Sequence, residues 1–505
     1  GTIYAISEPI SSSTINSPES YLYLFSQGPS HLTHRMEISP NMDLEQKQSS
    51  EHVEKSTLDA SNDTSDPEIE KGLQRVEDPE WIAAQKRYLR KLDLIILPMI
   101  SALYFFEYLD RGNIANAKLL GLDKGRDTKY NGVGPGMETL SSTQWQTVVM
   151  IFYVGLVLCQ VPGTIGYRVF PPSKWIAFGV CGWCAVCLLQ VTAFNVSALL
   201  ACRVFLGAFE GLFGTGIVCT TSVCDHRSEM GVRVVWFLGP TAIAGAFGGL
   251  IAYGVGHINS HIHNWKLLFL IEGLPGFVLG LVCLYWLPDR PLKNSRFKGF
   301  DQEIAEPRYH SEAFDKAGKI QRKHVIWTLT DWRLYAQAAI YVPTAALLSS
   351  ISGFLPTIIS NVGYHEPTKA NLMTVPPYAC AFVLMYLVSW NSDRVKERGI
   401  HLTCLTIVAA IAYALLATLD QSHLGGKYAC MCIAVACVYA TYPPSHAWAA
   451  NNFGNETKRA IGMGLYTALG NCGSIAGTWL TQLKTRRVSR RAISLRWGWR
   501  LRRRD

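Results

Sequence analysis

Two sets of opposite charges stand in this sequence where charge is costly. Asp110 and Arg111 close an apolar run that begins near Leu92, and Arg203 and Glu210 lie seven residues apart inside another such run. An ionisable side chain at membrane depth costs about 3 kcal/mol or more, and is retained where charge has to be handled. It can bind a charged ligand, relay a proton, or, more plainly, hold helices together by an ion pair. Seven residues are two helical turns, so Arg203 and Glu210 share a face, with Gly207, Gly211 and Gly214 on or beside it. A charged stripe on a glycine-lined face belongs inside a bundle, where small residues let a neighbouring backbone come close. Glu107, three residues before Asp110, falls on the same side of the first run as that acid, and Asn113 follows just after it.

The elements that carry these residues are long apolar helices. Of 505 residues, 49% are hydrophobic and only 17% charged, and the charges crowd into 36–91, 288–333 and 484–505. Runs of about 20 apolar residues recur, each sufficient for about 30 Å of hydrocarbon. The spans fall near 92–111, 144–166, 174–192, 197–219, 233–255, 266–287, 333–359, 370–390, 400–419, 427–448 and 459–481. The fold class is therefore an all-α membrane protein. Lys and Arg in the loops place the N-terminus on the cytoplasmic side. Residues 1–80, rich in Ser, Glu and Asp, read as a disordered cytoplasmic tail in which Met36 is a candidate initiator, and residues 78–91 as an amphipathic lead-in. Residues 85–287 form a six-helix bundle, 288–332 a charged cytoplasmic connector, and 333–483 a second bundle with eleven spans visible in all.

Several classes are excluded. The fourteen cysteines lie between Cys159 and Cys472, mostly within apolar helices, where Cys acts as a small hydrophobe. The spacing of Cys181, Cys184 and Cys187 resembles a metal site without His or carboxylate nearby, and His257, His261 and His263 lack a fourth ligand and read as a solvated loop. No nucleotide loop, zinc motif or Ser-His-Asp set is present, so neither an enzyme nor a cofactor or metal is expected. The net charge of +9 comes from membrane-flanking loops and the C-terminus, and implies lipid rather than nucleic acid as the surrounding partner.

Further residues qualify by type. Tyr153, Tyr442, Trp448 and Asn471 combine aromatic and amide groups within spans, where an amide binds a ligand or bridges helices. Asp393, Arg394 and Arg398, at the inner end of the eighth span, could latch the bundles at a cytoplasmic gate or be solvated loop charges. Pro275 with Gly276, Pro356, and Pro376 with Pro377 mark expected kinks.

Two groups of spans about one basic connector resemble the layout of the major facilitator transporters. The motifs narrow the resemblance. Tyr-Leu-Asp-Arg-Gly-Asn-Ile-Ala-Asn-Ala (108–117) and Arg-Val-Phe-Leu-Gly-Ala-Phe-Glu-Gly (203–211) are similar to the first and fourth helices of the anion:cation symporters. Trp-Lys-Leu-Leu-Phe-Leu-Ile-Glu-Gly (265–273), Phe-Leu-Pro-Thr-Ile-Ile (354–359), Asn-Leu-Met-Thr-Val-Pro-Pro-Tyr (371–378) and Ser-Asp-Arg-Val-Lys-Glu-Arg-Gly (392–399) resemble the fungal allantoate-permease-like branch. The resemblance covers about 85–483. It implies a monomer that imports a small organic anion, such as a carboxylate, a vitamin of the nicotinate or pantothenate type or a ureide, with protons across the plasma membrane by alternating access. It also implies that Asp110 and Glu210 couple protons and that Arg111 holds the anion; by residue type and place in the spans, Arg203, Asn113, Tyr153, Tyr442, Trp448 and Asn471 are the further candidates for the binding site. The chain departs from the family at Thr220–Asp225 and at its end. There, 484–505 carries ten Lys and Arg and cannot span, so the last helix of two six-helix bundles is missing and the tail reads as non-native. A nutrient sensor that binds without translocating, and a non-functional truncated transporter, are the alternatives.

Overall fold

A computed structural model describes residues 79–123, 138–224, 236–287, 322–420, 423–453, 458–459 and 461–479. The tail at 1–78, most of the connector and the basic segment 484–505 lie outside the described residues.

The described chain is helical. The first half comprises α1 (Pro79–Ala117), α2 (Ser142–Val169), α3 (Pro172–Leu189), α4 (Val196–Cys224), α5 (Pro240–Gly256) and α6 (Asn264–Trp286). A short α7 (Arg322–Thr330) precedes the second half: α8 (Trp332–Val362), α9 (Pro367–Leu372), α10 (Val375–Val395), α11 (Gly399–Thr418), α12 (Leu424–Ala440), α13 (Tyr442–Asn452) and α14 (461–479). Among the described residues, ten helical segments are long and apolar enough to cross a bilayer. The helix at 461–479 is less apolar because five glycines and Asn471 interrupt it.

Local sequence explains the ends. Ser141 caps α2 reciprocally with Gln144, whose backbone N–H donates to Ser141 Oγ at 3.2 Å while its side chain accepts from Ser141 N at 2.9 Å. Asp331 caps α8 by accepting from Arg333 N at 3.1 Å. The 78–91 segment expected as a separate lead-in is instead continuous with the first span from Pro79, and that span closes in a π turn, Lys118–Leu122, where Gly121 adopts φ 96°. Two spans are broken rather than kinked. The Pro376–Pro377 pair sits in the first turn of α10 after a break at Met373–Thr374, and Pro443–Pro444 likewise starts α13 after Thr441. Proline lacks the N–H that an interior turn needs but loses nothing in a first turn.

Close backbone contact builds the core of each half. A Cβ on Gly207 of α4 would collide with the Phe152 carbonyl of α2, and one on Gly211 would lie 2.6 Å from the Leu156 carbonyl. In the second half α14 packs on α8, with Ser474 Oγ donating to the Ala345 carbonyl at 3.0 Å and Ser350 Oγ to the Gly477 carbonyl at 3.1 Å. The halves meet through α5 and α9–α10, where Gly249 faces Thr374 and Asn371 and Gly245 faces Tyr378, and through α2 and α14, where Gly464 faces Val161 and Thr164. Large apolar side chains such as Leu158, Phe178, Phe205, Val278, Ile340, Val383 and Ile411 point outward, as lipid-facing positions require.

Candidate functional site

Between the halves lies a small, partly open cavity. The first half contributes Tyr104, Glu107, Tyr108, Arg111, Gln160 and Glu210, and the second Tyr341, Tyr442, His446, Thr467 and Asn471. Four α1 residues arrive there because 104, 107, 108 and 111 fall on one helical stripe.

Arg111 is the electrostatic centre. Its Nη2 donates to Glu210 Oε2 and to Glu107 Oε1, both at 2.7 Å, and its Nε donates to the same Glu210 oxygen at 3.1 Å. One guanidinium thus serves two carboxyl groups, one from its own helix and one from α4. Its flat face covers the Tyr108 ring at 4.4 Å and approaches Phe152 at 5.4 Å. Glu210 is fully buried, and its Oε1, like Glu107 Oε2, has no hydrogen-bond partner among the described residues. The Gly207–Phe152 backbone contact brings α4 close enough for Glu210 to reach α1.

Opposite stands a cluster of rings. Tyr442 Oη lies 3.0 Å from Tyr104 Oη and accepts from Tyr108 Oη at 3.2 Å, bridging the two halves. Tyr341 stacks on Tyr442 at 6.2 Å and on Tyr466 at 5.1 Å, and meets His446 edge-on at 4.9 Å. His446 Nδ1 lies 3.1 Å from the Tyr442 carbonyl oxygen. The chamber therefore offers one shared cation at one wall and flat π faces with hydroxyl groups at the other.

The residues singled out from sequence separate into groups. Arg111, Glu210, Tyr442 and Asn471 line the cavity. Tyr153 is buried within electrostatic reach of Arg111 but is not on the wall. Asp110, Asn113 and Arg203 are not on the wall either. Consecutive helical residues point about 100° apart, so Asp110 turns away from Arg111 into the first half, where it accepts from Cys187 Sγ at 3.4 Å near Arg203 and Trp183. Glu107, expected beside Asp110, instead pairs with Arg111 one turn on. Trp448 is half-buried and away from the cavity. Two residues past His446 on α13, it faces another direction. His263, expected to be solvated, is buried and lies flat over Trp265.

The expected gate charges meet partners within their own turn and helix. Arg398 Nη2 donates to Asp393 Oδ1 at 3.2 Å across the tight turn between α10 and α11, and exposed Arg394 lies over Trp390 of its own helix at 5.7 Å. Lys396 in that turn adopts a left-handed φ of 58°, which folds the chain back and brings 393 and 398 together. Sequence reasoning missed Tyr104, Tyr108, Gln160 and Tyr341. The 104–107–108–111 spacing was a legible signal for the first two.

Residues 100–478 match the Major Facilitator Superfamily. The chain belongs to that superfamily. Superfamily relatives include the MFS transporter prlL of Fungal sp. (strain NRRL 50135), 34% identical over 84% of this chain and 83% of that protein. The high-affinity nicotinic acid transporter of Saccharomyces cerevisiae is 29% identical over 81% of this chain and 75% of that one. Among solved structures, the MFS proton:xylose symporter XylE bound to 6-bromo-6-deoxy-D-glucose superposes with a TM-score of 0.59 at 13% identity, covering 78% of this chain and 89% of that one, a likeness of fold. The all-α architecture, its two groups of membrane helices and the cavity between them are those of a multi-pass MFS transporter.

Proposed function

We propose that this transporter imports a small organic monocarboxylate together with protons, by alternating access across the plasma membrane with its N-terminus cytoplasmic. The observation that carries the reading is the sharing of Arg111 between Glu107 and Glu210 at the cavity wall. A carboxylate entering the cavity must compete for that guanidinium with two built-in carboxylates. Protonation of Glu210, the acid that holds Arg111 through two contacts, weakens the competition and frees the planar fork for the incoming anion. The loaded cavity then carries no more net charge than the empty, unprotonated one, so the proton offsets the anion when the cavity closes away from water. Loss of the proton lets Glu210 recapture Arg111 and expel the anion. Asp110, beside Arg203, is the second proton-responsive group in this scheme.

The rings of Tyr104, Tyr108, Tyr341, Tyr442 and His446 favour a flat unsaturated body on the carboxylate, and the nicotinic acid transporter among the relatives accords with that class. The excess of Lys and Arg in loops on the N-terminal side supports the orientation. The test is uptake of labelled nicotinate, benzoate, pantothenate and allantoate by cells expressing the chain. Accumulation that collapses with a protonophore, and is abolished by Arg111→Lys, is expected. Binding to the purified protein without accumulation in liposomes would replace transport with sensing.

A further inference from the structure

A second ionisable cluster lies on the far side of α1 from the cavity. Glu272 of α6 is 1% exposed, and among the described residues neither of its carboxyl oxygens makes a hydrogen bond of good geometry, the Asn113 amide being the polar group within reach. It belongs to the Trp-Lys-Leu-Leu-Phe-Leu-Ile-Glu-Gly segment, to which nothing above gives a role. The groups that face it are Asp110 and the amide of Asn113, both from α1. Asn113 is completely buried, its amide has no well-formed hydrogen bond to any other described residue and is turned toward Glu272, and it sits one turn along from Asp110 on the same face.

The other elements around Glu272 bring no cation to it. From α3, the Cys187 thiol lies 3.6 Å from where a Cβ on Gly273 would stand, and that thiol is already given to Asp110. Beyond α3, the amide of Gln190 is buried and unpaired. The π turn that ends α1 carries Lys118, which lies over the Trp145 ring at 4.8 Å. On α5, His257 is held by the Tyr253 carbonyl at 2.8 Å. From α4, Arg203 is within electrostatic reach of Asp110, with its Nε and Nη2 unpaired.

Among the described residues of the first half, the buried acids are Glu107, Asp110, Glu210 and Glu272, and the guanidinium groups beside them are those of Arg111 and Arg203. Arg111 is shared by two of the acids and Arg203 neighbours a third, which leaves Glu272 without a counter-ion. A carboxylate so enclosed costs several kcal/mol unless it is neutralised. We infer that Glu272, with Asn113 and Asp110, forms a second proton site, back to back with the cavity across α1. Glu272 holds the proton in the conformation seen here, the Asn113 amide can hydrogen-bond either its neutral or its ionised form, Asp110 is the neighbouring acid whose charge opposes its ionisation, and the transport cycle discharges the proton. Only the last clause rests on the symport reading.

Infrared difference spectroscopy on the purified protein in lipid reads the site without any substrate. At neutral pH the wild type should show the C=O stretch of a protonated, water-excluded carboxyl group, and Glu272→Gln should remove it. Asn113→Leu, which keeps the acid, should move the same band to higher frequency and covers the case in which Glu272→Gln fails to fold. A spectrum without a neutral-carboxyl band assignable to Glu272 overturns the inference. Replacement of the band by a carboxylate stretch on adding sodium also overturns it, in favour of a metal cation. In proteoliposomes with labelled nicotinate, Glu272→Gln should equilibrate the label without uphill accumulation. Accumulation equal to wild type overturns the inference, because the proton is then a fixed structural one. If no carboxylate is transported at all while the band behaves as described, the site stands and the proposed substrate and symport mode fall.

Discussion

Replacing Glu210 by Gln isolates the competition on which the proposed cycle depends. The substitution keeps size and shape, so α4 should still pack on α2 through Gly207. What changes is the strength of two contacts to Arg111, at 2.7 and 3.1 Å, from ion-paired hydrogen bonds to bonds between a charged donor and a neutral acceptor. A hydrogen bond in which both partners are charged contributes about 1 kcal/mol more than one in which only the donor is, so two such contacts weaken by about 2 kcal/mol. An anion that must displace residue 210 should therefore bind about thirty-fold more tightly to Glu210→Gln than to the wild type at a pH where the acid is ionised. Binding of labelled nicotinate should be measured on purified protein between pH 5 and pH 8. The wild type is expected to lose affinity as pH rises and the variant to hold a nearly constant, tighter affinity. In liposomes the variant should exchange labelled for unlabelled nicotinate but not accumulate it against a gradient. Wild-type accumulation by Glu210→Gln, with unchanged pH dependence, would refute the reasoning.

Three further outcomes follow from other parts of the molecule. Gly207→Val should abolish folded protein in a detergent-stability assay, because its side chain would occupy the position of the Phe152 carbonyl, whereas Gly254→Ala, with open space around it, should unfold within a few degrees of wild type. Tyr442→Phe removes one hydroxyl that joins Tyr104 and Tyr108, and should weaken nicotinate affinity by about three- to ten-fold, a loss near 1 kcal/mol, while Trp448→Phe, away from the cavity, should leave it unchanged. Lys458 Nζ donates to Asp331 Oδ2 at 2.7 Å and holds that carboxyl below its ordinary range, so the pair stabilises the fold above the unfolded-state value and loses this as pH falls through the lowered one. Asp331→Asn should cost about 1 kcal/mol or less at pH 7, and its melting temperature should converge with wild type below about pH 4.

The membrane helices were legible because bilayer thickness imposes a length and a composition on each of them, and both are local properties. Their interruptions were less so. Pro376–Pro377 and Pro443–Pro444 read equally well as interior kinks or as first turns, and only the neighbouring helices decide that the chain breaks before them. For the site, residue type identified charge inside helices but not its partners. The sequence places Glu107 three residues from Asp110 and four from Arg111, and because both spacings put a neighbour on nearly the same side of a helix, only the structure decides for Arg111. Tyr341 carries no unusual signature in sequence. It matters because α14 lets α8 approach through Gly470 and Gly473. Trp448 was attractive as a residue type and lies on the wrong side of its helix.

Asp110 and Arg111 are neighbours in sequence whose side chains leave α1 toward different compartments. Such an arrangement depends on reading frame along the helix. Inserting or deleting a single residue between Pro98 and Asp110 would turn both by about 100°, swinging the guanidinium away from the chamber. No substitution elsewhere could restore both placements at once. The stretch from 98 to 111 should therefore accept changes of residue far more readily than changes of length.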